Sequence, residues 1–244
     1  MRMPRRPRVV IPEVAHHITQ RGNDRQPVFR AEHDFRRYLA LLRRHSLANG
    51  ARILAYCLMP NHVHLIVVPQ HANSLARALG RTHSEYALAW NRAAGRSGHV
   101  WQNRFFSCAM DESHAIRAVR YVERNPVRAG LASTPWEWPW SSARAHTVDA
   151  VTDDVLDCRW SEYFGRWDFV EWREILSAAM PAEELDAMRR AAATGEPLGA
   201  REFVLSLERR TGKRLRVLER GRPKTKPPSP GDSARQGSLF VATV

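Results

Sequence analysis

His62 and His64 stand two residues apart at the head of an apolar, β-branched run, Met59-Pro-Asn-His-Val-His-Leu-Ile-Val-Val68. Such a run reads as a buried strand. Side chains alternate along a strand, so both histidines share one face and Val63 and Leu65 the other. Two imidazoles on one face can begin a metal site but not complete it, and their spacing is not the i, i+4 pair of a helical zinc hydrolase site. The other chemistry-bearing segment is Tyr121-Val-Glu-Arg-Asn125-Pro126, where a helix would put Tyr121 and Asn125 on one face. A phenol is protonated at neutral pH and needs help to act as a nucleophile. A divalent ion on His62, His64 and the Asn125 side-chain oxygen could supply it by polarising a phosphate and stabilising a leaving 3′ oxygen. Attack by Tyr121 would leave a 5′-phosphotyrosine and a free 3′ hydroxyl. One phosphate ester replaces another, so the step can run backwards and join a strand without ATP; no Gly-x-x-x-x-Gly-Lys phosphate loop occurs. Imidazole and amide oxygen ligands suit Mg²⁺ or Mn²⁺ better than a thiolate-seeking metal. Asn125 is placed by helical spacing, and His114 or Gln102 could serve instead as third ligand. His16 and His17 lie on an expected neighbouring strand, from which one can contact DNA or the site.

Several elements must position these groups. Val14–Gln20 reads as a first strand, Ala31–Ala48 as a helix with Phe35, Leu39, Leu42 and Leu47 inward, and Ile53–Met59 as a second strand. Pro60-Asn61 turns the chain into the histidine strand. Ser74–Trp90 is a second helix with Leu75, Leu79, Tyr86 and Trp90 on one stripe, followed by a strand over Arg104–Met110. Asp111 and Glu112 open the tyrosine helix, where negative charge suits a helix N-terminus, and Pro126 should end it. The expected architecture is α+β, an antiparallel-rich sheet with helices on one side.

Together these residues resemble a known family. Pro60-Asn61-His62-Val63-His64-Leu65 is similar to the His-hydrophobic-His motif of HUH endonucleases, and Tyr121 through Leu131 resembles the tyrosine motif of REP-associated tyrosine transposases. His17-Ile-Thr-Gln-Arg-Gly-Asn23, Trp101-Gln-Asn-Arg-Phe105 and Trp138-Pro-Trp-Ser-Ser142 extend the resemblance over roughly residues 9–147. It implies a ferredoxin-like core and a metal-dependent enzyme that nicks and joins single-stranded DNA beside a short palindromic hairpin. It also implies DNA contacts from Arg21, Asn23, Arg104 and Arg128, which stand in those motifs. A lone candidate nucleophile, Tyr121, points to a single-tyrosine enzyme. Two rival readings are a replication initiator or relaxase, which is usually longer or carries a helicase, and a module derived from such a transposase that binds hairpins without cutting.

Composition agrees with a polyanionic partner. The 244 residues carry a net charge of +13 and a pI near 10.8, and neutralising phosphates with Lys or Arg releases condensed counterions. No run of about 18 apolar residues or signal-peptide core is present, so a cytoplasmic protein with no membrane partner is expected, as monomer or homodimer. Cys57, Cys108 and Cys158 form no Cys-x-x-Cys pair and indicate neither a disulfide framework nor a thiolate site. Beyond the 9–147 domain, residues 151–218 read as a helical appendage, acidic and aromatic over 151–200 and with a helical pattern over Phe203–Leu218. Residues 219–244 read as a basic, flexible tail. In that tail Arg220-Gly221-Arg222-Pro223-Lys224 resembles the core of an AT-hook, in which Arg220, Arg222 and Lys224 would bind an A·T minor groove. The plainer reading is a solvated basic run that binds phosphates without preference.

Overall fold

The computed structural model describes residues 9–157 and 168–215. The expected DNA-binding residues Arg220, Arg222 and Lys224 lie outside them, as does Cys158.

Strand β1 (Ala15–Arg21) leads through helix α1 (Glu32–Ala48) to the hairpin β2 (Ala51–Met59) and β3 (His62–Pro69). Helix α2 (Ser74–Ala93), strand β4 (Phe106–Met110) and helix α3 (Glu112–Glu123) follow. The four strands pair antiparallel in the order β2-β3-β1-β4. With the chain order βαββαβ this is the ferredoxin-like topology. Pro60-Asn61 forms the two-residue turn that pairs Met59 with His62 and Cys57 with His64, which sets the register of the histidine strand.

Helices cover both faces of the sheet, not one as the sequence suggested. Val63, Leu65 and Val67 pack on the α1–α2 side with Ile18, Tyr38, Leu42, Leu79 and Trp90. Ile66 and Val68 pack on the other side with Cys57, Cys108, Ala115, Val119 and Val122. Both cysteines are free and buried. Within α1 the apolar spacing misplaces one residue: Leu47 is 71% exposed, while Tyr38 and His45 are buried. Tyr38 hydroxyl lies 2.9 Å from His83 Nε2, so polar pairing wins over bare hydropathy for the inner stripe.

Both sheet edges are covered, which removes open strand edges. Along β2, Leu58 N–H donates to Trp140 O at 2.9 Å and Ser142 N–H to Tyr56 O at 3.0 Å. Trp140 stacks on Phe35 with ring centroids 4.7 Å apart, and Trp138 Nε1 donates to Leu58 O at 3.0 Å. The Trp138-Pro-Trp-Ser-Ser142 motif is therefore packing and edge cover, and its indoles are not a free stacking platform. Along β4, Leu198 N–H donates to Ala109 O and Asp111 N–H to Leu198 O.

After α3 come two short helices, α4 (Asn125–Arg128) and α5 (Ala143–Thr147), then α6 (Phe169–Ser177), α7 (Ala182–Thr194) and α8 (Arg201–Thr211). Trp172, Leu176, Met188 and Ala191 join the same buried cluster as α3 and the sheet. Arg120 donates to Ala178 O and Ala179 O at 2.9 and 3.0 Å, and Arg124 donates to Leu176 O. Both guanidiniums sit at the carbonyl end of α6, where positive charge is favourable.

Glu123, the last residue of α3, has no solvent exposure. Its Oε1 accepts from Ser142 Oγ at 2.5 Å and from His146 Nδ1 at 2.6 Å, and its Oε2 accepts from Trp172 Nε1 at 2.8 Å. Removing a carboxylate that three buried donors share takes an acceptor from each of them. Glu123→Ala should lower unfolding free energy by about 3–5 kcal/mol in urea titration, and Trp172→Phe, which deletes one donor, by about 1–3 kcal/mol. Full stability of Glu123→Ala would show that the network does not hold α3.

Candidate active site

Strand alternation puts His62 and His64 on the α3 face of the sheet, and the antiparallel pairing of β1 with β3 sets His17 beside them. His17 Nε2 lies 3.0 Å from His64 Nδ1, and the two rings stack with centroids 5.2 Å apart. His62 Nδ1 is 2.6 Å from Asn61 Oδ1. In both candidate ligands the Nδ1 side is thus held by a neighbour and Nε2 is left, the pattern by which outer partners orient metal-binding imidazoles. Tyr121 descends from α3 onto the same place: its ring centroid is 5.8 Å from those of His17 and His64, edge to face. Only 6% of Tyr121 is exposed, and it lines with His62 and His64 a cavity of about 580 Å³.

Charge in this cavity has one sign. Among the described residues, Arg21, Arg128 and Arg189 line it, and no Asp or Glu does. Arg128 stacks over the Tyr121 ring with its guanidinium carbon 4.1 Å from the centroid, and donates to Tyr121 O at 2.9 Å and to Asn125 Oδ1. Burial is the main cause that lowers the pKa values of His17 and His62 to about 4, with Arg128 acting in the same direction on both. His64 is held well below the usual histidine range, first by burial and then by His62, His17 and the arginines. All three rings are neutral near pH 7, the form that can ligate a cation.

Each residue singled out in the sequence has a definite place. Asn125 lines the cavity, but α3 ends at Glu123 and Asn125 begins α4, because Pro126 cannot continue the α3 hydrogen-bond ladder. Its oxygen is engaged by Arg128, so a cation reaches it only if that guanidinium gives way. Gln102 lines the cavity, whereas His114 bonds Asp111 at 2.6 Å at the far end of α3 and is not brought to the site. Among the described residues no three His, Cys, Asp or Glu side chains are grouped to hold a metal ion, so an amide oxygen from Asn125 or Gln102 would have to join His62 and His64; that mixed donor set fits a hard divalent ion. Arg21 lies exposed at the cavity's edge. Asn23 sits in a tight turn, its N–H on Val100 O at 2.8 Å. Arg104 lines a second cavity of about 720 Å³ with Trp101 and His83, and Gln20, Gln102 and Asn103 border both.

Of the two β1 histidines expected near DNA or the site, His17 is the one at the site, where it orients His64. Two contributors were not foreseen. Asn61 orients His62, and Arg189, Ala192 and Ala193 of α7 form a wall of the cavity.

Residues 11–125 match the family model described as transposase IS200 like. This segment is similar to the IS200-like transposases. The expected similarity to REP-associated tyrosine transposases is also borne out: a Haemophilus influenzae protein that carries that name provisionally is 25% identical over 100 residues, covering 36% of this chain. The chain spans 57% of the length of that relative. Among solved structures, a REP-associated tyrosine transposase bound to a REP hairpin is 19% identical, with a TM-score of 0.49 over 64% of this chain and 92% of the other. A provisionally named transposase from Deinococcus radiodurans is 21% identical, with a TM-score of 0.34 over 50% and 97%. The IS200-like segment thus contains His17, His62, His64, Tyr121 and Asn125, while Arg128 and the α7 wall lie beyond its end. Among the described residues no helix is long and apolar enough to cross a membrane.

Neutral buried histidines make stability depend on pH. His16 has the simplest case: its Nδ1 donates to Val14 O at 2.8 Å and its Nε2 accepts from Ile11 N–H at 3.3 Å, and burial lowers its pKa to about 4. In the unfolded chain these rings take up protons near pH 6.5, while the folded protein resists until about pH 4. Between those values the unfolded state binds more protons, so stability should fall as the solution is acidified, by up to about 1.4 kcal/mol per pH unit for each such histidine. Urea midpoints measured with a chelator present should drop from pH 7 to pH 5. A flat profile would contradict the neutral assignment.

Proposed function

We propose that this chain is a REP-associated tyrosine transposase, a metal-dependent enzyme that cleaves and rejoins single-stranded DNA beside a palindromic hairpin. The reading rests chiefly on one observation: Tyr121, His62 and His64, from two elements far apart in sequence, meet in a cavity that, among the described residues, is lined by arginines and by no carboxylate. A phosphodiester is the substrate that such a cavity suits.

Tyr121 Oη would attack the scissile phosphorus and form a new P–O bond as the bond to the 3′ oxygen breaks. The phenol gives up its proton and the departing 3′ oxygen takes one, so the products are a 5′-phosphotyrosine and a 3′ hydroxyl. The reverse attack by a 3′ hydroxyl joins a strand and restores Tyr121. Mg²⁺ or Mn²⁺ held by Nε2 of His62 and His64, with Asn125 or Gln102 as third ligand, would polarise the phosphate as a Lewis acid. Arg128 fixes the tyrosine from both its ring face and its backbone, and would offer positive charge to the non-bridging oxygens. Arg21, Asn23 and Arg104 would meet the DNA outside the reacting phosphate. The working compartment would be the cytoplasm.

The test is to incubate the protein with an end-labelled single-stranded hairpin and Mn²⁺ and to look for a denaturation-resistant protein–DNA band. Its absence under all divalent ions would favour a hairpin-binding protein without cleavage. Tyr121→Phe should abolish the band and leave hairpin affinity within about threefold, since it removes the nucleophile and no charge. A persisting adduct would move the nucleophile elsewhere. His62→Ala and His64→Ala should each eliminate cleavage, with little further loss when combined, because residues acting as a unit are non-additive. His17→Ala should weaken Mn²⁺ binding about tenfold or more in calorimetry by freeing the His64 ring; unchanged affinity would deny His17 that role.

A further inference from the structure

Helix α7 presents two adjoining stripes. Met188 and Ala191 are buried against the sheet and α3, while Arg189, Ala192 and Ala193, at i, i+3 and i+4, open onto the tyrosine cavity. The apolar stripe therefore fixes the helix, and the second stripe becomes a wall of the cleft. Arg128 is committed to Tyr121 and Asn125. Arg189 differs: its side chain is 60% exposed, and its partner is Asp186, a surface ion pair at 3.1 Å on the same helix. Such a pair is worth well under about 1 kcal/mol and is easily exchanged for a better anion. A guanidinium matches phosphate oxygens in a bidentate fork, and the alanines beside it leave the wall low enough for a chain to approach.

We infer that α7 is one side of a strand-binding cleft, and that Arg189 binds a backbone phosphate next to the one facing Tyr121. The cavity of about 580 Å³ has room for an unpaired nucleotide, and the occupant is taken to be a single-stranded segment that leads away from the hairpin. Apart from the choice of hairpin DNA, which rests on the reading above, the inference needs only a phosphodiester chain in the cleft. The α7 wall lies outside the segment matched to the IS200-like family, and it makes affinity for the flanking strand a property of this chain's own C-terminal part.

The experiment uses the full chain with Tyr121→Phe, so that no probe is consumed, and two fluorescent probes: a blunt hairpin and the same hairpin with an oligothymidylate tail. Adding Arg189→Ala should weaken binding of the tailed hairpin about tenfold, more than that of the blunt one, and make its salt dependence shallower by about one unit of slope. Arg189→Glu should weaken it further. Asp186→Asn, which releases Arg189 from its ion pair, should tighten it. Arg189 is exposed, so these variants should fold, as circular dichroism can verify. An unchanged salt slope, or equal losses on both hairpins, would overturn the assignment. The cleavage reading is judged separately, by the covalent band of the parent protein, and either result can stand without the other.

Discussion

A carboxylate sealed from water holds this molecule in register. Burying Glu123 would be strongly unfavourable unless each oxygen found a donor, and the donors come from two separate segments: Ser142 and His146, at the N-cap and within α5, and Trp172 in α6. The network therefore works only when those segments have both assembled around the end of α3. Tyr121 lies two residues back on the same helix, so the constraint that fixes Glu123 also fixes the height and rotation of the candidate nucleophile above the sheet. Arg120 and Arg124, which hold the carbonyl end of α6, extend the same clamp on either side of Tyr121.

On the sheet side the corresponding constraint is parity. One face of β3 carries His62 and His64 and the other carries Val63, Leu65 and Val67, and a slip of one residue would bury the wrong set. The Pro60-Asn61 turn prevents the slip, and Asn61 also holds the first imidazole. The same face must keep several imidazoles neutral next to guanidiniums, which burial achieves. Stability is given up below pH 6.5 in return for rings able to ligate a cation at neutral pH.

The strands, the first two helices and the face of the histidine pair were legible in the sequence because each rests on local periodicity. The α2 stripe of Leu75, Leu79, Tyr86 and Trp90 is buried throughout, and the β2–β3 turn falls at Pro60-Asn61. Where partners come from distant segments, periodicity misleads. Leu47 looked inward, but it is 71% exposed and the buried residues next to it are the polar His45 and Ser46. Helices on both faces follow from α3 packing under β2 and β3, a contact that no local pattern encodes. Tyr121 and Asn125 do meet in one cavity, yet the break at Arg124 gives Asn125 to α4 and its oxygen to Arg128. Nothing in the spacing of Arg189 distinguished it from an ordinary solvated arginine, since its meaning depends on where Met188 and Ala191 dock.

That docking changes how residues 169–211 are to be understood. An acidic, aromatic segment after the family match reads as an independent appendage, but Trp172, Leu176 and Met188 share their buried cluster with Cys57, Val119 and Val122. A helix that is packed on the tyrosine helix cannot move without disturbing it, and the residues between its packed positions inevitably face the cleft. The wall at α7 is thus a geometric consequence of burying Met188 and Ala191. Once that burial is required, the identity of the intervening side chains is free to vary, and an arginine at position 189 adds positive charge to a cleft already lined by Arg21 and Arg128. The core packing and the electrostatics of the cleft are in this way set by the two stripes of a single helix.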